Sequence, residues 1–297
     1  HAKLVRSQLS FFKPFVAGLS LEATRKGQDK LGELMTALHR REVLVRDHDF
    51  EHFQGAWVMP KDQRRTGVIL YLHGGGYTCG SLEYAKGFAA ALASECGVRV
   101  FCPAYRLAPE HPYPAALEDA YAAYCYLLEQ GWFSEQIIIA GDSAGGGLAM
   151  ALCHYLKDKG KQLPCGIVAM SPWTDLAARG ESYETNYEKD PLFGKTRDSL
   201  IYNKDYIGDN DPLNAYISPL YGDFRGFPPM LIQVGSYEML LSDSVDVAAK
   251  AREQGVKVRI SIYEGMFHIF QMAAKMLPES KRAWVEIGKF IDVLLND

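Results

Sequence analysis

The stretch QIIIAGDSAGGGLAM, residues 136–150, places a serine between glycines where one sequence pattern gives way to another. The apolar run at 137–140 predicts a short strand buried on both faces of a parallel sheet. After it, apolar residues such as Leu148, Leu152 and Leu156 recur at helical spacing. The glycines at 141 and 145 complete a G-x-S-x-G pattern, which is typical of a sharp strand-to-helix turn that exposes the serine hydroxyl. Ser143 is therefore a candidate nucleophile. A bare match occurs by chance in about one chain of this size in ten, so the other parts of such a site must also be found.

The composition is that of an ordinary globular protein. The chain has 297 residues, of which 48% are hydrophobic and 23% charged, with a formal net charge of -4. This charge gives no indication of a nucleic-acid or anionic-membrane partner. No run of eighteen apolar residues occurs, so we expect no membrane-spanning helix. Near the start, Lys13 and Pro14 interrupt the longest apolar patch, which argues against a signal peptide.

Six scattered cysteines without a C-x-x-C pair predict buried free thiols rather than a disulfide framework. Free thiols favour a reducing compartment, and we expect a cytoplasmic protein. Metal signatures such as H-E-x-x-H are absent from the sequence, so neither a metal nor an organic cofactor is expected.

Strand-like and helix-like segments alternate along most of the chain. Predicted strands lie at 42–47, 55–59, 67–73, 98–103, 136–140, 166–171, 230–235 and 256–263, and predicted helices at 82–94, 115–129, 144–157, 242–254 and 278–295. This alternation predicts an α/β fold with a mostly parallel sheet of eight strands flanked by helices.

Two segments do not follow this alternation of strands and helices. Residues 1–40 look mainly helical, and residues 174–220 form a polar and aromatic stretch too long for a plain connection. We expect both segments to form a helical cap over one catalytic domain, which spans 41–297 and contains the inserted cap segment.

His268 is the candidate base, because a serine nucleophile needs a group that takes its proton. It is the only histidine after His154 and follows the strand-like segment ending near 263, in the loop GMFHIF. That position matches the chain order serine, acid, histidine of α/β-hydrolases.

Two carboxylates compete for the role of the acid that orients the histidine. Glu238 follows the predicted strand 230–235 by three residues and still lies in the loop. Asp243 fits better as a cap or first-turn residue of the next helix, since a carboxylate there accepts free N–H groups. We predict Glu238 as the acid, with Asp243 as the alternative.

The sequence HGGG at 73–76 ends another apolar strand and is a candidate oxyanion loop. Consecutive glycines allow the backbone to direct its N–H groups into a cavity. A flexible turn or a phosphate cradle would also suit three glycines. The pairing of HGGG with G-x-S-x-G favours the oxyanion hole of esterases, completed by the N–H of Ala144. His73 itself is expected to brace the loop rather than to transfer protons.

Together these motifs resemble the hormone-sensitive-lipase-like branch of the α/β-hydrolases, also called the bacterial family IV esterases. The resemblance rests on HGGG (73–76), YRLAPEHPYPAALED (105–119), GDSAGG (141–146) and GMFHIF (265–270). It implies Ser143 as nucleophile, His268 as base, and oxyanion donors from Gly75, Gly76 and Ala144.

The resemblance also has implications beyond the triad. Members usually carry aspartate where this chain has Glu238, so this position departs from the family pattern. The family pattern implies that the 105–119 segment is a scaffold beneath the site and that the N-terminal helices and a second insertion form the cap. Members often pair through an edge strand, which points to a possible homodimer.

We therefore predict a carboxylic ester hydrolase acting on small-molecule esters with short-to-medium acyl groups. Two alternatives stay open. A non-catalytic small-molecule receptor on the same scaffold is disfavoured by the joint presence of serine, histidine and acid. Amide or peptide hydrolysis by the same triad is compatible with the motifs, although the resemblance favours esters.

Overall fold

The computed structural model describes residues 20–193 and 204–295. Its strands are β1 (Val43–Asp49), β2 (Gln54–Pro60), β3 (Val68–Leu72), β4 (Arg99–Ala104), β5 (Ile137–Asp142), β6 (Gly166–Met170), β7 (Met230–Gly235) and β8 (Val258–Tyr263). Its α-helices are α1 (Leu21–His39), α2 (Leu82–Cys96), α3 (Ala115–Glu129), α4 (Ala144–Asp158), α5 (Ser182–Thr185), α6 (Lys204–Ile207), α7 (Leu241–Glu253) and α8 (Pro278–Leu295).

The eight strands form one sheet in the order β1-β2-β4-β3-β5-β6-β7-β8. The pairs β1–β2 and β2–β4 are antiparallel, and every pair from β4 to β8 is parallel. The predicted fold class is therefore confirmed. The sequence placed the start of β8 two residues too early, at Val256. The N–H of that residue instead donates to the carbonyl of Ala251 at the end of α7, so it belongs to the preceding turn.

Helices cover both faces of the sheet and bury two apolar layers. One layer contains side chains of α3, α4 and α7, and the other contains side chains of α2 and α8. The strand β3 shows why both are needed. Its residues alternate between the layers, with Leu70 and Leu72 in one and Ile69 and Tyr71 in the other, and all are fully buried. This is the pattern of a central strand in a doubly covered sheet.

The segment between β6 and β7 is the predicted insertion. Its described part holds the short helices α5 and α6 and a 3-10 turn at Pro219–Tyr221. Of the predicted cap, residues 1–19 and 194–203 lie outside the described residues. All six cysteines are described and free, as predicted, but only four are buried, since Cys125 and Cys165 are partly exposed. None of the helices in the described ranges is both long and apolar enough to cross a bilayer.

Candidate active site

Ser143 lies on the turn between β5 and α4, with a backbone φ of +53°. This conformation is strained for a residue with a side chain, and such strain is stored at functional turns. The flanking glycines allow it. A Cβ on Gly145 would overlap the carbonyl oxygen of Leu72, and a Cβ on Gly141 would overlap the carbonyl oxygen of Gly145. The G-x-S-x-G spacing therefore follows from the close approach of β5, α4 and the end of β3.

His268 and Glu238 form a buried pair in loops at the carboxyl ends of β8 and β7. Nδ1 of the imidazole lies 2.8 Å from Oε2 of the carboxylate. Glu238 is fully buried and His268 is only 2% exposed. Because an ionised carboxylate only accepts hydrogen bonds, this contact places the proton of a neutral imidazole on Nδ1 and leaves Nε2 as an acceptor.

The other oxygen of Glu238 is also held by donors. Oε1 accepts from the hydroxyl of Ser171 at 2.8 Å and from the N–H of Gly235 at 2.5 Å. Ser171 in turn accepts from the N–H of Ile269, next to His268, at 3.1 Å. Three donors from three segments thus satisfy a carboxylate that would otherwise be costly to bury.

The sheet order brings Ser143 to the same edge as this pair, since β5, β6, β7 and β8 are adjacent and parallel. The ring of Phe193, from the insertion, packs edge-on against the imidazole at 4.7 Å between centroids. Within the described residues, no hydrogen bond joins the Ser143 hydroxyl to His268. Hydrogen bonds to the nucleophile are often long in unliganded sites and tighten when substrate binds.

Asp243, the alternative acid, lies in the first turn of α7 but does not contact the histidine. Its Oδ2 accepts from the N–H groups of Thr174 and Asp175, both at 2.8 Å. The prediction that Asp243 caps or opens α7 is therefore half right. Asp243 lies in the first turn of α7, but the hydrogen bonds that its carboxylate accepts come from N–H groups of the loop after β6. Burial raises the pKa of Asp243 well above its usual range.

The HGGG loop follows β3 and lies beside the serine turn. Gly75 and Gly76 have φ values of +118° and +62°, which glycine adopts without strain. The N–H of Gly74 donates to Oδ1 of Asp142 at 2.9 Å, so it is engaged in holding the loop. Ala144 is the first residue of α4, and the first N–H groups of a helix lack intrahelical partners.

His73 is fully buried and braces the loop, as predicted. Its Nδ1 lies 2.7 Å from the carbonyl oxygen of Gly74, and its ring stacks on Tyr105 at 4.1 Å. Burial lowers the pKa of His73 to about 4, so the imidazole is neutral at pH 7. The hydroxyl of Tyr105 also donates to the carbonyl of His73 at 2.6 Å. The segment 105–119 thus supports the loop from below.

Two residues in this network were not assigned a role from the sequence. Asp142 precedes the serine and accepts from the Tyr71 hydroxyl at 2.6 Å, and burial raises its pKa to about 6. Ser171 holds the carboxylate of Glu238. A signal for Ser171 existed, because a polar residue at the carboxyl end of a parallel strand beside β5 lies at the binding edge of such sheets. The part of the chain that the structure describes contains no cluster of three or more metal-ligating side chains.

Comparison with known proteins shows the family to which the chain is similar. The model of the alpha/beta hydrolase fold matches residues 69–272. An acetyl-hydrolase of Streptomyces hygroscopicus is 41% identical over 240 residues, covering 81% of this chain and 80% of its own. The structure of EstE5 soaked with p-nitrophenyl butyrate superposes with a TM-score of 0.92 at 33% identity, covering 100% of this chain and 99% of that one. A hormone-sensitive lipase from a metagenome library gives a TM-score of 0.89 at 34% identity, covering 99% and 98%.

The chain therefore belongs to the α/β-hydrolase fold family. Within that family it falls in the hormone-sensitive-lipase-like branch, and it is a carboxylesterase.

Proposed function

We propose that Ser143, His268 and Glu238 act as the catalytic triad of this esterase. The hydroxyl of Ser143 attacks the ester carbonyl while Nε2 of His268 accepts its proton. Glu238 keeps the neutral imidazole in the Nδ1–H tautomer and stabilises the imidazolium that forms. The observation that carries this proposal is the buried His268–Glu238 contact of 2.8 Å at the sheet edge that also presents Ser143.

The N–H groups of Gly75, Gly76 and Ala144 are proposed to stabilise the tetrahedral oxyanion. As the intermediate collapses, His268 returns the proton to the leaving alcohol and an acyl-serine remains. Water then attacks the acyl carbonyl with His268 as base, and the carboxylic acid leaves as Ser143 recovers its proton. Each step needs only groups of this chain, the substrate and water.

We propose α1 and the 174–220 insertion as the cap over the acyl pocket. Two contacts support this. Phe193 packs on the imidazole of His268, and Tyr206 stacks on Tyr77 of the oxyanion loop at 3.8 Å between ring centroids. Short-to-medium acyl esters are the proposed substrates. The Streptomyces relative is named an acetyl-hydrolase, and p-nitrophenyl butyrate was soaked into crystals of EstE5.

The test is the substitution Ser143→Ala, assayed with p-nitrophenyl acetate and butyrate. We expect turnover to fall by about 10⁵-fold or more, towards the uncatalysed rate, because the nucleophile is lost. The circular dichroism spectrum and Tm should match the wild type. Retained turnover in that variant would show that another residue is the nucleophile.

Because the chain is a carboxylesterase, the alternative of a non-catalytic receptor is set aside. The other alternative, amide or peptide hydrolysis, makes a different prediction in the same assay. An amidase or peptidase would cleave matched p-nitroanilides or peptides with kcat/KM values comparable to those of the esters.

We also propose a homodimer and a cytoplasmic location. The strand β8 forms one edge of the sheet and β1 the other, and an edge strand offers backbone N–H and C=O groups to a second copy. Ile262 on β8 is 50% exposed. Analytical ultracentrifugation should then give twice the monomer mass.

The six free cysteines support the proposed cytoplasmic location, because free thiols persist in a reducing compartment. Cell fractionation can test this location.

A further inference from the structure

The helix α1 contacts Thr78, two residues after the HGGG loop, through residues on one of its faces. Arg25, Asp29 and Gly32 are spaced i, i+4, i+7 and therefore lie along a single stripe. The guanidinium of Arg25 donates from Nε to the carbonyl of Thr78 at 2.7 Å and from Nη2 to the carbonyl of Ala108 at 2.9 Å. These acceptors lie more than fifty residues along the chain, so the contact joins separate parts of the fold.

The rest of the stripe fixes α1 against the start of α2. Oδ1 of Asp29 accepts from the hydroxyl of Ser81, the N-cap residue of α2, at 2.5 Å. At Gly32 the helices approach so closely that a Cβ would overlap the backbone of Glu83. The backbone of α1 is thus held at a set distance from the loop, which leaves little freedom in where Arg25 can reach.

The contact of Arg25 continues to the proposed oxyanion hole through two planar peptide groups. The carbonyl of Thr78 and the N–H of Cys79 belong to one peptide unit, and this N–H donates to the carbonyl of Gly75 at 2.9 Å. The carbonyl of Gly75 and the N–H of Gly76 belong to a second peptide unit. Each unit is rigid, so orienting its carbonyl orients its N–H.

The charge of Arg25 acts along the same path. A cation at a carbonyl oxygen draws electrons away from the N–H at the other end of the peptide group, and hydrogen bonds in a chain strengthen one another. The N–H of Gly76 should therefore be both better aimed and a stronger donor than in a free loop.

We propose that Arg25 is a positioning residue for ester hydrolysis, which orients and polarises the N–H of Gly76 through the peptide units 78–79 and 75–76. This inference rests on the proposed function, since it takes Gly76 as an oxyanion donor. It gives α1 a part in transition-state stabilisation in addition to any role as a lid.

Glu110 provides the matched control. Its carboxylate accepts from both terminal nitrogens of Arg25 at 2.7 and 2.8 Å, and it is 53% exposed. In Glu110→Gln, the amide oxygen can still accept from Arg25, and the bonds to Thr78 and Ala108 stay available. This variant changes the charge around Arg25 without touching the path to Gly76.

The experiment compares Arg25→Met, Arg25→Lys and Glu110→Gln with the wild type, using p-nitrophenyl butyrate and inhibition by butylboronic acid. A boronic acid adds to the serine hydroxyl and becomes a tetrahedral anion, so its Ki reports on the oxyanion hole rather than on ground-state binding. We expect Arg25→Met to lower kcat about 10- to 100-fold, less than the 10²–10³ of losing a donor outright, with KM changed less than threefold. The Ki should rise by the same factor as kcat/KM falls.

Arg25→Lys keeps the charge but lacks the planar fork, so its kcat should lie between those of Arg25→Met and the wild type. If Arg25→Met does not fold, Arg25→Lys still tests the role of the guanidinium. Glu110→Gln should stay within threefold of the wild type. The inference is overturned if Arg25→Met and Arg25→Lys both keep kcat within threefold, if kcat falls without a rise in Ki, or if Glu110→Gln loses as much. Turnover by Ser143→Ala would instead refute the proposed function, so the two failures are distinct.

Discussion

The substitution Glu238→Gln tests the acid of the proposed triad with almost no change in shape. Oε1 of Glu238 accepts from the N–H of Gly235, which cannot become an acceptor. The glutamine must therefore place its carbonyl oxygen there and its NH₂ group towards His268. An NH₂ group facing Nδ1 forces that nitrogen to accept, so the proton of the neutral imidazole moves to Nε2. In that tautomer His268 cannot take the proton of Ser143.

The magnitude follows from this tautomer change. In the serine–histidine–aspartate template the equivalent amide substitution lowers kcat by about 10⁴. A longer side chain can relax slightly, so we expect a loss of about 10³ to 10⁴, which corresponds to ~4–5.5 kcal/mol of transition-state stabilisation. The assay is steady-state hydrolysis of p-nitrophenyl butyrate at pH 8, with Tm measured in parallel.

The matched control is Asp243→Asn. The oxygen that accepts from Thr174 and Asp175 can be kept by the asparagine carbonyl, so kcat should change by less than about threefold. The reasoning from the contacts of Glu238 would be refuted if Glu238→Gln kept more than a tenth of wild-type kcat. It would also be refuted if Asp243→Asn lowered kcat more than Glu238→Gln does.

Three further outcomes are expected. Ser171→Ala removes a donor to the carboxylate of Glu238, the proposed acid, and should lower kcat about tenfold in steady-state assays, with KM little changed; an unchanged kcat would contradict this. Gly145→Ala places a Cβ into the end of β3 and should destabilise the fold by more than about 2 kcal/mol in urea denaturation, or prevent folding; wild-type stability would refute it. Burial lowers the pKa of His73 and His154 to about 4, so their contribution to stability is complete above pH 6.5 and lost as pH falls towards 4. Asp142, with its pKa raised to about 6, and Asp243, whose pKa burial raises well above its usual range, act in the opposite direction. The histidine effect is therefore read from a variant: in urea denaturation the free energy of unfolding of His154→Gln should approach that of the wild type as pH falls from 6.5 to 4, and a constant difference would refute this.

Features that depend on local sterics could be predicted from the sequence. The turn at Ser143 needs glycines two residues to either side, and these neighbours identify it without knowledge of the rest of the fold. The strands of the parallel sheet were likewise predictable, because burial on both faces demands an unbroken apolar run. The order of motifs along the chain then pointed to His268.

The choice between Glu238 and Asp243 depends on distant residues, which is why the sequence left it open. Both carboxylates follow β7 within eight residues. Only Glu238 meets the imidazole and the hydroxyl of Ser171 at the end of β6, whereas Asp243 meets the N–H groups of Thr174 and Asp175. The assignment of Glu238 as the catalytic acid stays a prediction, which the Glu238→Gln and Asp243→Asn variants test.

The insertion could be recognised from the sequence but not described by it. Its described helices, α5 and α6, have only four residues each, which is too short to show the helical periodicity of apolar residues. Side chains hold this segment in place instead. The amide of Asn186 donates to the carbonyl of Glu238 at 2.8 Å, and Oδ2 of Asp190 accepts from the N–H of Met239 at 2.9 Å. The insertion is thus tied to the loop that carries the proposed acid.

The proposed oxyanion loop also depends on distant residues. Glycines allow the backbone of this loop to turn towards a site, but positions 74–76 then carry no side chain that could fix the loop, and His73 alone braces it from within the motif. Most of its order must therefore come from other segments. Asp142 accepts from the N–H of Gly74, Tyr105 donates to the carbonyl of His73, and Arg25 donates to the carbonyl of Thr78. These supports come from β5, from the loop after β4 and from α1, so no reading of the HGGG motif alone could find them. The HGGG motif therefore indicates where an oxyanion could be stabilised. How well its N–H groups are held depends on Asp142, Tyr105 and Arg25, which the motif does not contain.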